Sequence, residues 1–254
     1  MAEFSQLKEI FSGNIPPRIH RFVKETGRGI NEHKMIGDGD KVIAGISGGK
    51  DSLAMAMALS LRRKHLPIRY DLEGVMIEWK EHPLSPAYRS DIEHFFEILG
   101  VPFSILSFQM QPESFHGKFN CYLCARNRRR ILFDYAAEKG IKKIAFGHHL
   151  DDLVETALMN LFHRGNSAPM KPVSSFFDGK IEVIRPLCLV KESTVQRLSQ
   201  SLEFPILEID CPFKEINLRK DVKEIICQMT KIDPLTREHI YNAYFGKEKN
   251  RGRN

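Results

Sequence analysis

The chain has 254 residues, 42% apolar and 28% charged, which suits a folded protein with one large domain or one domain with small attachments. A formal charge of +6 is compatible with a nucleic-acid partner without arguing for one. The absence of any apolar run of about 18 residues argues against a membrane helix, the start MAEFSQLKEI has no signal-peptide pattern, and an odd, sparse set of cysteines (121, 124, 188, 211 and 227) is not a secreted disulfide scaffold, so a cytoplasmic, membrane-free protein is expected.

In chain order, residues 1–40 read as a helical leader. Phe4, Leu7, Ile10 and Phe11 share one helix face, Pro16-Pro17 interrupts, and a second helix runs from Arg18 to about Ile30. This leader either packs on the core or meets a partner. The apolar run Val42–Ile46 then predicts a strand, and Ser47-Gly48-Gly49-Lys50-Asp51-Ser52 a turn opening a helix that extends to about Lys64. A strand at Tyr70–Trp79, a helix at Ala87–Leu99 and a strand at Phe103–Phe108 continue an α/β alternation.

Residues 109–120 read as irregular, 125–139 as a helix, 142–146 as a strand and 153–162 as a helix. A loop is expected over 164–179, a strand over 181–184, a helix over 191–202, a short extended piece over 204–209, and two helical segments over 215–245 parted at Asp233-Pro234. The basic tail 246–254 carries no pattern. The expected division is a leader (1–40), a catalytic core (41–213) and a helical extension with its tail (214–254).

The turn at 47–52 has the chemistry of an anion site. Its glycines let backbone N–H groups come close to a phosphate, the helix start adds unpaired donors, Ser47 and Ser52 add hydroxyls and Lys50 a charge. Asp51 would repel that phosphate unless a cation lay between them, which implies Mg2+. It is not a Walker A loop, because Gly45 to Gly49 is one residue too short. No G-x-G-x-x-G fingerprint is present either, since Gly37-Asp38-Gly39 precedes the strand and the pattern breaks at Val42.

SGGKDS resembles the pyrophosphatase loop of the ATP-pyrophosphatase group. The resemblance implies an adenine nucleotide alpha hydrolase-like (Rossmann-like) fold, a mostly parallel sheet flanked by helices, here with helical additions at both ends. It also implies ATP, cleaved to AMP and pyrophosphate, with Ser47, Gly48, Gly49, Lys50 and Ser52 around the departing pyrophosphate. Because ligands lie beyond the carboxyl ends of parallel strands, Val75 to Ile77 are expected near the adenine edge, and Gly147, His148, His149, Asp151 and Asp152 face the same crevice. The two aspartates read either as helix caps or as magnesium or base-positioning groups. His148 is expected at the nucleotide.

Cys121-Tyr122-Leu123-Cys124 alone is open: a redox pair, half of a zinc or iron–sulfur site, or two packed thiols. Arg126 and Arg128–Arg130 beside it favour thiolate. Cys211, followed by Pro212, is the best remote third ligand, whereas Cys188 and Cys227 read as small core residues. Three thiolates leave one metal position open, unsuited to structural zinc and suited to a [4Fe-4S] cluster that takes an external sulfur ligand.

Taken together, SGGKDS, CYLCARNRRR (121–130), GHHLDDLVET (147–156), IRPL (184–187) and CPF (211–213) resemble the tRNA 2-thiocytidine synthetase family. That resemblance implies a cluster held by Cys121, Cys124 and Cys211, a catalytic role for Asp51, Asp151 or Asp152, tRNA as substrate, a sulfur donor or cysteine desulfurase system, and a homodimer. The short CPF, beside the double-cysteine form of many relatives, keeps tRNA 2-thiouridine synthesis as an alternative. Cluster-free persulfide transfer, lysidine-type ligation and a catalytically dead tRNA binder are the other rivals.

Overall fold

The computed structural model describes residues 3–65, 67–110, 120–207 and 218–246. Its centre is one six-stranded sheet: β1 (Lys41–Ile46), β2 (Asp71–Trp79), β3 (Phe103–Phe108), β4 (Lys143–Ala145), β5 (Val173–Phe176) and β6 (Ile181–Ile184), in the order β3-β2-β1-β4-β6-β5. All neighbours pair in parallel except β5 with β6. The chain winds from β1 outward through β2 to β3, then restarts on the other side of β1 with β4. The switch point, where such sheets open a ligand crevice, therefore lies between β1 and β4.

Around the sheet stand α1 (Ser5–Phe11), α2 (Pro17–Glu32), α3 (Lys50–His65), α4 (Pro86–Leu99), α5 (Cys121–Glu138), α6 (Leu150–Arg164), α7 (Glu192–Ser201), α8 (Leu218–Ile232) and α9 (Thr236–Phe245). Helix α3 is the hub. Residues 53–61 are buried all round the helix, as expected of a helix enclosed by others rather than lying on a surface. The leader packs on this core: Phe4, Leu7, Ile10, Ile19 and Phe22 join the cluster that holds Leu53 and Phe95. At the other end, Val222 and Ile226 of α8 and Tyr241 of α9 are buried in that cluster too, and the Tyr241 hydroxyl lies 2.6 Å from His33 Nε2 at the end of α2.

Four local expectations are corrected. The loop expected over 164–179 contains β5, a short edge strand whose Ser174-Ser175 centre carries no apolar alternation, joined to β6 by a tight turn with positive φ at Phe177, Asp178 and Gly179. Helix α5 begins at Cys121, not Ala125, because the Asn120 side chain accepts from the Leu123 N–H and caps it. Helix α6 begins at Leu150, not Leu153, capped by His149. Cys188 is fully buried as expected, but Cys227 on α8 is exposed.

Candidate active site

The two loops that leave β1 and β4 meet at the switch point. Gly147 allows this: a Cβ there would lie 2.7 Å from the backbone of Asp51 and Ser52. The phosphate-type loop is already organised. Ser52 Oγ donates to the Gly49 carbonyl at 2.8 Å and accepts from the Ser47 N–H at 3.2 Å, and Gly49 N–H donates to Ser47 Oγ at 3.2 Å. Gly48, at φ +82, would be strained as any other residue, and its carbonyl accepts from the Leu207 N–H at 2.9 Å, tying the segment after α7 to the loop.

Lys50 Nζ sits 3.0 Å from Asp51 Oδ2 and 3.5 Å from Glu192 Oε1. The other oxygen of Asp51, Oδ1, is buried without a hydrogen-bond partner, 3.7 Å from His149 Nε2. An anionic acceptor left unpaired in a phosphate-type loop fits a hard cation such as Mg2+, which takes oxygen ligands and bridges to phosphate.

Asp151 and Asp152 stand on the first turn of α6. Asp151 is buried; Oδ2 accepts from the Glu192 N–H at 2.7 Å and Oδ1 from Arg237 Nε at 2.5 Å. Asp152 completes a capping box, accepting from the His149 N–H at 3.0 Å, while its own N–H donates to His149 Nδ1 at 3.3 Å; Arg219 Nη1 lies 3.5 Å from Oδ1. In this arrangement both aspartates are engaged by the protein itself.

Beside the loop lies a cavity of about 320 Å³. Ser47, Ile77, Cys121, Cys124, Arg129 and His148 line it, as do Gly45 and Phe146. Mostly apolar walls with a few convergent polar groups are the usual character of a small-molecule site. Cys121 and Cys124, three residues apart on one helical turn, project toward the same side, which fits two thiolate ligands of a shared metal group. His148 Nδ1 is buried without a partner. Burial, with the Arg185 guanidinium nearby, pushes its imidazole down to about 4, so it is neutral at physiological pH. Arg185 itself is buried and donates to the Lys171 carbonyl and Ser174 Oγ, fastening β5 to the end of β6.

The structure thus brings Ser47 to Ser52, Ile77, Gly147, His148, Cys121 and Cys124 to one place. Val75 is fully buried in the sheet beside Ile43 and Ile131 and does not line the cavity. Cys211 lies outside the described residues, and among those described no three His, Cys, Asp or Glu side chains are grouped to hold a metal. Sequence reasoning missed Glu192, whose carboxylate meets both Lys50 and Lys223, and Arg237, which closes on Asp151. Neither has a local signal: both partners come from far along the chain. No described helix is long and apolar enough to cross a membrane.

The PP-loop domain family matches residues 18–208. The chain is 39% identical over 236 residues to the tRNA-cytidine(32) 2-sulfurtransferase of Burkholderia multivorans, covering 88% of this chain and 68% of that protein. Against the Anaeromyxobacter protein of the same name, identity is 35% over 233 residues, covering 88% and 74%. Among solved structures, the U34-tRNA thiolase NcsA from Methanococcus maripaludis with its [4Fe-4S] cluster matches with a TM-score of 0.68 at 26% identity, over 88% of this chain and 77% of the other.

Proposed function

The chain belongs to the PP-loop domain family, among the tRNA-cytidine(32) 2-sulfurtransferases, and on that premise we propose that it converts an anticodon-loop cytidine of tRNA to 2-thiocytidine with consumption of ATP. The observation that carries this reading is a single cavity walled by Ser47 of the phosphate-type loop and by Cys121 and Cys124. Activation by a nucleotide and delivery of sulfur need such adjacency.

The cytidine C2 oxygen attacks the α-phosphate of ATP and releases pyrophosphate. The N–H groups of Gly48 and Gly49, the hydroxyls of Ser47 and Ser52 and the Lys50 ammonium stabilise charge that develops on the leaving group. Lys50 leaves its two carboxylates to do so. Asp51, through the Oδ1 that has no hydrogen bond, would hold Mg2+, which would offset phosphate charge. The adenine lies at Ile77 and Gly45. Adenylation makes the C2 oxygen a good leaving group, and a sulfur nucleophile then displaces AMP. Cys121 and Cys124, with Cys211 as the third ligand, would hold a [4Fe-4S] cluster, which would supply the sulfur-delivering chemistry. Neutral His148 faces the same space and presents a hydrogen-bonding nitrogen without adding charge. Asp151 and Asp152 shape the crevice by fixing α6. Residues 41–213 form the catalytic core, the protein works as a homodimer, and a cysteine desulfurase system supplies the sulfur.

The test is mass spectrometry of nucleosides from tRNA incubated with reduced, iron-loaded enzyme, MgATP and sulfide. 2-Thiocytidine together with stoichiometric AMP is the expected result. 2-Thiouridine, or turnover that proceeds on a cysteine persulfide without iron, overturns it. Cys211→Ser should keep ATP binding while losing iron and thiolation; full turnover in that variant contradicts the ligand set.

A further inference from the structure

Helix α5 sorts its side chains into two faces. Toward the sheet, Arg128 lies over the Trp79 ring at 5.3 Å, Asn127 donates to the Met110 carbonyl at 3.1 Å, and Ile131 and Leu132 are buried. Toward solvent stand Tyr122, which is 71% exposed, and the exposed Arg126, Arg129 and Arg130. Tyr122, Arg126 and Arg130 follow one another at spacings of four, which places them in one row along the helix.

Two features set this row apart from an ordinary solvated face. No acidic residue occurs from Cys121 to Phe133, and among the described residues none of the arginines of α5 is in an ion pair. The positive field also continues inward: Arg129 lines the cavity and, with Arg185 and Arg219, acts on His148. An exposed aromatic beside uncompensated arginines is the combination that holds unpaired nucleotides, with a base on the ring and phosphates on the guanidinium groups.

We propose that the outward row Tyr122, Arg126 and Arg130 is the docking surface for a single-stranded RNA loop, with Tyr122 stacking on an unpaired base next to the one that enters the cavity. Tyr122 directly follows Cys121, a residue of the cavity wall, and stands about 100° round the helix from it, so a base stacked there lies on the helix face next to the one that lines the cavity. This inference rests on the tRNA-modifying reading above and assigns the contact surface that reading leaves open.

The test measures affinity of the full, iron-loaded chain for tRNA by fluorescence anisotropy over a salt series. Arg126→Glu with Arg130→Glu should weaken binding at least tenfold and reduce the slope of log affinity against log salt by about 1.4, from about 0.7 per single-strand phosphate contact. Tyr122→Ala should lose about tenfold, as expected for one stacked base, and Tyr122→Phe should recover it. ATP binding should stay at wild-type levels throughout, and so should iron content in Tyr122→Ala and Tyr122→Phe. Wild-type affinity and slope in the double variant overturn the proposal. So does a loss that tracks loss of iron, or equal affinity for a blunt duplex without unpaired bases. If the wild-type chain binds tRNA through this row yet forms no thiolated nucleoside, the surface stands and the proposed reaction falls.

Discussion

Two helices, α3 and α6, start at the carboxyl ends of neighbouring strands and carry acids in their first turns, yet they treat those acids in opposite ways. At α3, Asp51 keeps one buried oxygen without a hydrogen bond. At α6, Asp151 is closed by Arg237 and the Glu192 N–H, and Asp152 by the capping box and Arg219. A buried acceptor oxygen left without a hydrogen bond is unfavourable unless a ligand completes it, whereas a carboxylate bonded at both oxygens holds its partners in place. The first arrangement leaves an acceptor oxygen open to a ligand; the second ties the carboxyl-terminal helices α8 and α9 to α6.

Lys50→Ala and Asp51→Asn should separate the two most sharply. Each should lower AMP formation by at least about 100-fold, the range for losing a preorganised charge-stabilising group, while the unfolding temperature stays close to wild type. A large loss of stability with modest loss of rate would reverse the assignment.

Asp151→Ala should do the opposite and destabilise the fold by about 3 kcal/mol, since Arg237, 15% exposed, is left without its carboxylate. Denaturant unfolding measures this, and Arg237→Gln should show a comparable loss. If either variant retains full stability and loses only turnover, Asp151 is a reacting group rather than an anchor.

A third difference is visible in pH. Glu155, buried on α6 beside Asp152, has its carboxyl pushed up to about 7, chiefly by burial. A raised carboxyl pKa means the folded state holds a proton that the unfolded state has released. The associated stability is present below about pH 4.5 and is lost as pH rises through about 7. Glu155→Gln should therefore gain on wild type by roughly 1–3 kcal/mol between pH 5 and 7.5, a tenfold change in proton affinity being worth about 1.4 kcal/mol. Parallel stability curves for the two proteins would rule this out. The smallest effect is expected for His149→Ala, which removes half of the capping box and should cost about 1 kcal/mol of stability.

Legibility in the sequence followed distance along the chain. The loop at 47–52 could be read because every donor it uses is adjacent: Ser47, Gly49 and Ser52 bond to one another within six residues. Cys121 and Cys124 could be paired because one helical turn brings them together. Strand β5 was missed because an edge strand with Ser-Ser at its centre needs its neighbour β6 to define it. The arginines of α5 could be counted but not sorted, since only packing against Trp79 turns Arg128 inward.

By itself the sequence determined the chemistry on offer: an anion-binding turn, a thiol pair, a basic helix start and the α/β alternation that carries them. All of these are set by neighbours a few residues apart, where backbone geometry leaves little freedom. Which charges would be spent on structure was decided only by the tertiary fold. Lys50 meets Glu192 across 142 positions and Asp151 meets Arg237 across 86, and such pairings exist only once the helices have packed.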